Sequence, residues 1–290
     1  MSLTDRLRAH LLALIGARHP LSSPEALRAA EHYLAGQFRQ LGLDVSFHPF
    51  DAPGGTYRNV IASLPASSRT DTEEDAPPLI VAAHYDTVPG SPGADDNASG
   101  LAVMLEAARS LRGVPLRRRL RFIGFCLEEQ DQLGSLAYAS SLKAADQEIL
   151  GAIVLECVGY ARSDDCSQFA PPNVPIAVPS TGDFLGIIGN TASAELAGAV
   201  EGAMNRHVPD LKTVSLLVPG QGERLPDTRR SDHASFWAHG YPALMLTDTA
   251  NFRNPHYHQP TDTLATLDLT FMRQVAEAVA AAARDLAGGD

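Results

Sequence analysis

Apolar residues recur at helical spacing over 24–42, where Leu27, Tyr33, Leu34, Phe38 and Leu41 share a face and Gly42 stands at a helix C-cap position. The period then shortens. Residues 45–50 and 57–64 read as two strands separated by the turn-forming Ala-Pro-Gly-Gly at 52–55. The polar run 65–78 reads as a surface loop between strands, with no sign of a domain boundary. From Leu79 apolar strands alternate with helices: LIVAAH, ASGLAVMLEAARSLR, LRFIGFCLEE, LGSLAYASSLKAAD and LGAIVLEC. After an irregular stretch at 160–182 come FLGIIGN, a helix over 192–206, a short strand near 213–218, a helix over 232–239, YPALMLTD and a last helix over 267–287. Continuous apolar strands separated by helices need cover on both faces, which predicts a three-layer α/β/α architecture around a mixed, mostly parallel central sheet.

Composition agrees with this pattern. With 290 residues, 44% hydrophobic and 20% charged, the chain can bury a core and matches neither a disordered nor a membrane-spanning class. One domain over 1–290 is expected at this length. The opening segment is interrupted by Arg8, His10 and Arg18 and lacks a small-residue cleavage site, so it reads as an amphipathic helix and the chain as cytoplasmic, with no membrane partner. Cys126, Cys157 and Cys166 form no C-x-x-C pair and read as free core thiols. A net charge of −11 excludes nucleic acid as a natural partner. It is also what a site that gathers carboxylates around a cation would need.

Ligands of open α/β sheets bind beyond the carboxyl ends of the strands. His84 and Asp86, Glu128 and Glu129, and Glu156 all fall at such ends, and Asp95-Asp96 lie in a loop before a helix. Any one of these residues alone is ordinarily structural; their shared location gives them weight. His84, Asp95, Glu129, Glu156 and His258 supply the nitrogen and oxygen donors of a catalytic zinc site with no thiolate. Five donors exceed what one zinc with water needs and suit two metals if one carboxylate bridges. Asp86, two residues after His84, projects to the same side of an extended strand and can orient its imidazole.

The ordered motifs H-Y-D-T at 84–87, G-A-D-D-N-A-S-G at 93–100, E-E at 128–129, E-C-V-G at 156–159, S-D-H at 231–233 and Y-H-Q-P-T-D-T at 257–263 resemble the zinc-dependent exopeptidases. That family contains bacterial leucyl aminopeptidases, glutamate carboxypeptidase and glutaminyl cyclases. The resemblance runs from about Pro24 to Leu267. It implies the zinc-exopeptidase fold and two zinc ions per chain, with Asp95 bridging, Glu129 and His258 completing one site, and His84 and Glu156 the other. It makes Glu128 the general base and acid, has Ser231 support His258, and puts a cis bond between Asp95 and Asp96.

This sequence departs from the family pattern in three places. Glu156 stands where the aminopeptidases carry Asp, Asp131-Gln132 replaces Gly-Leu, and Thr228 occupies the place of a tyrosine that donates to the oxyanion. Arg230 or His233 could replace that donor, or be a surface charge and a packing residue. The expected substrate is a short peptide or amino-acid amide cleaved at its first bond. A one-zinc glutaminyl cyclase, a carboxypeptidase or dipeptidase (with Arg229, Arg230 or Arg253 as carboxylate clamp), and a metal-free binding protein on the same scaffold are the alternatives.

Overall fold

A computed structural model describes residues 1–66 and 76–289; most of the expected 65–78 loop therefore lies outside the described residues. Helix α1 (Leu3–Leu14) starts at a capping box in which Ser2 and Asp5 satisfy each other's backbone N–H groups. Helix α2 (Pro24–Gln40) follows, then the hairpin β1 (Asp44–Ala52) and β2 (Gly55–Leu64). The alternating part comprises β3 (Leu79–His84), α3 (Gly100–Ser110), β4 (Leu120–Phe125), α4 (Leu133–Ala144) and β5 (Gly151–Glu156). It continues with β6 (Phe184–Asn190), α5 (Ala194–His207), β7 (Lys212–Val218), α6 (His233–Ala238), β8 (Ala243–Thr247) and α7 (Leu269–Leu286).

One eight-stranded sheet runs in the order β1-β2-β4-β3-β5-β8-β6-β7. The central strands β4, β3, β5 and β8 are mutually parallel, so their carboxyl ends share an edge. The outer pairings β1/β2, β2/β4 and β6/β8 are antiparallel, while β6/β7 is parallel. The expected mixed sheet is present, and its parallel part is concentrated where function would sit.

Alternation along each strand divides the core. Leu79, Val81 and Ala83 of β3 pack with α1, α2, α3, α5 and α7, while Ile80 and Ala82 face α4 and α6. On the thicker face α1 buries Leu7, Leu11 and Leu14. Each such side chain contributes about 1.5–3 kcal/mol as an upper estimate, enough to hold the N-terminal helix and the segment after it in place.

Candidate metal centre and active site

The parallel strand ends deliver the acidic and imidazole side chains to one place. His84 is the last residue of β3, Glu128 and Glu129 follow β4, and Glu156 closes β5. Asp96 comes from the turn Ala94–Ser99 that leads into α3, and His258 from the loop beyond β8. Leu127, Cys157 and His258 adopt left-handed backbone, with φ of 62°, 50° and 59°. Non-glycine residues pay for that conformation, and it recurs where a loop must aim side chains.

Two donor groups emerge, His84–Asp96–Glu156 and Asp96–Glu129–His258, each with its ligand atoms mutually within 4.8 Å. His84 Nε2 lies 3.1 Å from Asp96 Oδ1 and 3.4 Å from Glu156 Oε2; His258 Nε2 lies 2.9 Å from Asp96 Oδ2 and 3.3 Å from Glu129 Oε2. Tetrahedral ligands about 2.0–2.1 Å from zinc stand roughly 3.3 Å from one another, the spacing seen here. His84 Nε2, Asp96 Oδ1 and His258 Nε2 are buried yet make no aligned hydrogen bond. They point at common centres more than at each other, and the donor chemistry fits a pair of zinc ions sharing Asp96.

The carboxylate common to the two donor groups is Asp96, one residue on from the expected Asp95. Asp95 is turned away: its Oδ1 accepts the Gly159 N–H at 2.8 Å and its Oδ2 the Asn254 amide at 2.7 Å. The cis peptide falls correspondingly between Asp96 and Asn97, not between Asp95 and Asp96. Ser231 does not support His258; its hydroxyl donates to Glu156 Oε2 at 2.6 Å, because the S-D-H segment enters α6 beside the end of β5. His233 is fully buried, bonded to the Thr228 carbonyl and edge-on to Trp237, as a packing residue is. Among the cysteines, Cys126 and Cys157 are buried but Cys166 is exposed.

Asp86 reaches the site in two ways. Its carboxylate is 3.6 Å from His84 Nδ1, and it accepts the backbone N–H groups of both Glu128 and Glu129 at 3.1 Å, which fixes these two glutamates together. Asp262, which carried no role in the sequence reading, does the same for the opposite loop by accepting the N–H groups of Asp95 and Asp96. Asn97 ties that loop to β5 through the Leu155 carbonyl and the Cys157 N–H. These contacts are between residues distant in sequence, and no local pattern announces them.

Electrostatics follow from burying so many charges. Burial and the Asp96 charge push Glu129 up to about 7, and burial, with the Glu156 charge, pushes Glu128 well above the carboxylate range. Burial would lower His258, but the adjacent Asp96 and Glu129 carboxylates raise it to about 10. His84 is also raised well above its usual value, with Glu156 and Glu128 overcoming burial. Asp96, despite burial, is held low by the two imidazoles. In the metal-free protein these imidazoles carry protons that a metal would have to displace.

Beside Glu156 opens a cavity of about 320 Å³ whose walls include Val178, Phe184, Ile188, Met245 and Phe252. Tyr257 also lines it and stacks on the His258 ring with centroids 3.8 Å apart, and its hydroxyl accepts from Arg230 Nη2 at 3.2 Å. Thr228, expected in the place of an oxyanion donor, instead turns its hydroxyl to the Leu225 carbonyl. The motif Y-H-Q-P-T-D-T thus sets a phenol beside His258, lining the same cavity as Thr228.

Residues 59–283 match the model of peptidase family M28. The chain belongs to that family. Its class is that of the zinc-dependent metallopeptidases, as the expected exopeptidase resemblance implied. The M28 chain is 32% identical over 277 residues to the uncharacterized protein YfbL of Escherichia coli, covering 90% of this chain and 81% of that one. It superposes on the LapA aminopeptidase of Legionella pneumophila with a TM-score of 0.75 at 20% identity, covering 98% of this chain and 72% of the other, which shows the shared fold. BSAP, a zinc aminopeptidase from Bacillus subtilis, aligns with a TM-score of 0.60 at 27% identity over 80% of this chain and 50% of its own. The chain spans about half the length of the curated aminopeptidases it matches. Among the described residues no helix is long and apolar enough to cross a membrane.

Proposed function

We propose that this M28 chain is a two-zinc aminopeptidase that releases the first residue of short peptides or amino-acid amides. The observation that carries the reading is the sharing of Asp96 by two donor groups, each completed by one histidine and one glutamate. His84, Asp96 and Glu156 would hold one ion, and Asp96, Glu129 and His258 the other. Such a pair supplies Lewis acidity toward the scissile carbonyl and lowers the pKa of a water to near neutrality.

The protein's own groups do the rest. Glu128 is 9% exposed and its Oε2 stands 3.9 Å from His84 Nε2, beside the His84 group yet part of neither donor group. It takes a proton from the attacking water and returns it to the leaving nitrogen. Tyr257 offers its hydroxyl toward the carbonyl oxygen, steadied by Arg230. The apolar cavity beside Glu156 receives the side chain of the first residue, which favours large apolar ones. The surrounding carboxylates match a free α-amine.

Two alternatives are weaker. A one-zinc cyclase has no need of His84 together with a complete second group. A carboxypeptidase needs a free arginine fork, but Arg253 is buried against Gln168, the Tyr160 carbonyl and the Phe184 ring. Arg230 is occupied by Asn251 and Tyr257. The test compares hydrolysis of Leu-Ala, its N-acetyl form and its C-terminal amide. Cleavage of the first and third supports the proposal, whereas cleavage of the acetylated form without the amide overturns it.

A further inference from the structure

Arg18 lies outside residues 59–283 that define the family match, in the segment that follows α1. It is 2% exposed and among the largest fully buried side chains. Its guanidinium donates only to backbone carbonyls: Nε to Tyr85 at 2.9 Å, Nη1 to Leu14, to Gly16 at 2.8 Å and to Pro92 at 3.2 Å, and Nη2 to Gly93 at 3.1 Å. Its backbone N–H also donates to the Thr87 hydroxyl. Leu14 and Gly16 belong to Arg18's own segment, whereas Tyr85 and Thr87 lie on the stretch that carries His84 and Asp86, and Pro92 and Gly93 on the loop that carries Asp95 and Asp96. Gly93 has a φ of 63°, and a Cβ there would strike Asp96 O, Thr87 and the Arg18 guanidinium.

A buried cation without a directly bonded carboxylate is destabilising. Carbonyl dipoles offset part of that, and a neutral amide side chain could have served them without the charge. Burial lowers the Arg18 pKa to about 10, and the charges of Asp86, Asp96, Asp262 and Glu129 oppose that shift; Asp86 and Asp96 lie on the loops that Arg18 ties together. The same carboxylates repel one another when they are ionised and no metal is bound.

We propose that Arg18 is a built-in countercharge of the metal centre, a positioning residue that keeps the carboxylate cluster assembled before metal binds. The proposal rests on the metal-site reading above. It makes Arg18 most valuable to the metal-free protein, because bound cations neutralise the same carboxylates and stand in repulsion to the guanidinium. A residue that merely braced the loops would matter equally in both forms.

The experiment is thermal unfolding of the full chain in EDTA and with excess zinc, for the wild type, Arg18→Met and Arg18→Lys. Both variants lose the planar fork, and only the lysine keeps the charge. The expected result is that Arg18→Met unfolds at a lower temperature than Arg18→Lys in EDTA, that zinc closes the gap, and that the zinc-induced rise is larger for Met than for Lys. An equal or smaller rise for Met overturns the proposal. If Arg18→Met does not fold with zinc present, Arg18→Gln replaces it in the comparison. Failure of both neutral variants with zinc, while the lysine variant folds, overturns it as well, since the charge would then serve the fold in every state. A wild type whose unfolding is unmoved by zinc refutes instead the metal-site reading.

Discussion

Replacing Asp96 by Asn removes the one carboxylate common to both donor groups, so each falls from three protein ligands to two. Replacing Asp95 by Asn leaves both groups intact and disturbs a different set of bonds. One Asp95 oxygen accepts from the Gly159 N–H and the other from the Asn254 amide, so an Asn puts an NH₂ against one of these donors. A buried donor left unsatisfied costs about 1–3 kcal/mol, and about 2–4 °C of Tm per kcal/mol is expected for a domain near this size. Asp95→Asn should therefore lower the unfolding temperature by roughly 2–12 °C, with zinc affinity reduced by no more than the ~10–100-fold of an outer-shell change. Asp96→Asn should weaken binding at both sites together, by more than about 100-fold. Competition against a chromogenic chelator measures the affinities, and scanning calorimetry in EDTA the stability. The reasoning is refuted if Asp95→Asn abolishes binding of both ions while Asp96→Asn retains them.

Three further outcomes follow from the same geometry. Glu128→Gln should keep the fold and the zinc content but lower kcat by about 10²–10⁴-fold, whereas Glu129→Gln should lose zinc; the reverse pattern would exchange base and ligand. Ser231→Ala removes a 2.6 Å hydroxyl bond to Glu156 and should weaken zinc binding by about 10–100-fold at unchanged Glu128 chemistry, and unaltered affinity would remove Ser231 from the site. Metal-free protein should lose stability as pH rises. Glu129, Asp232 and Asp262, pushed up to about 7 chiefly by burial, hold protons that the unfolded chain releases near its ordinary carboxylate values. His258, raised to about 10, extends the decline above neutrality, because its contribution is full below its unfolded value and lost through its folded one. Tm in EDTA should fall from pH 5 to pH 9 and vary less with zinc; a rise over that range contradicts the assignment.

Strand ends and apolar runs were legible because burial on both faces leaves a continuous apolar signature, as in LIVAAH and GAIVLE, each buried throughout. That signature placed His84, Glu128, Glu129 and Glu156 at one edge of the sheet. It could not decide between Asp95 and Asp96. Adjacent carboxylates in a turn are equivalent in composition, and the difference lies in the break of helical geometry at Asp96 (φ −106°, ψ 89°) and Asn97 (φ −134°, ψ 37°). Ser231 was misdirected for a similar reason, since the partner of a hydroxyl at a helix entry depends on which strand that helix covers. Arg18 and Asp262 reach the site loops through contacts 67 or more residues away in sequence. Arg18 read as a polar interruption of an amphipathic helix, and only the packing of the loops over it shows why a charge is there.

The central claim is that two metal ions share Asp96, and anomalous scattering at the zinc edge from crystals grown with zinc tests it most directly. The account predicts two peaks per chain about 3.5–4 Å apart, with Asp96 bonded to both, His84 and Glu156 on one, and Glu129 and His258 on the other. A single peak at saturating zinc, or two peaks joined through Asp95, would contradict it.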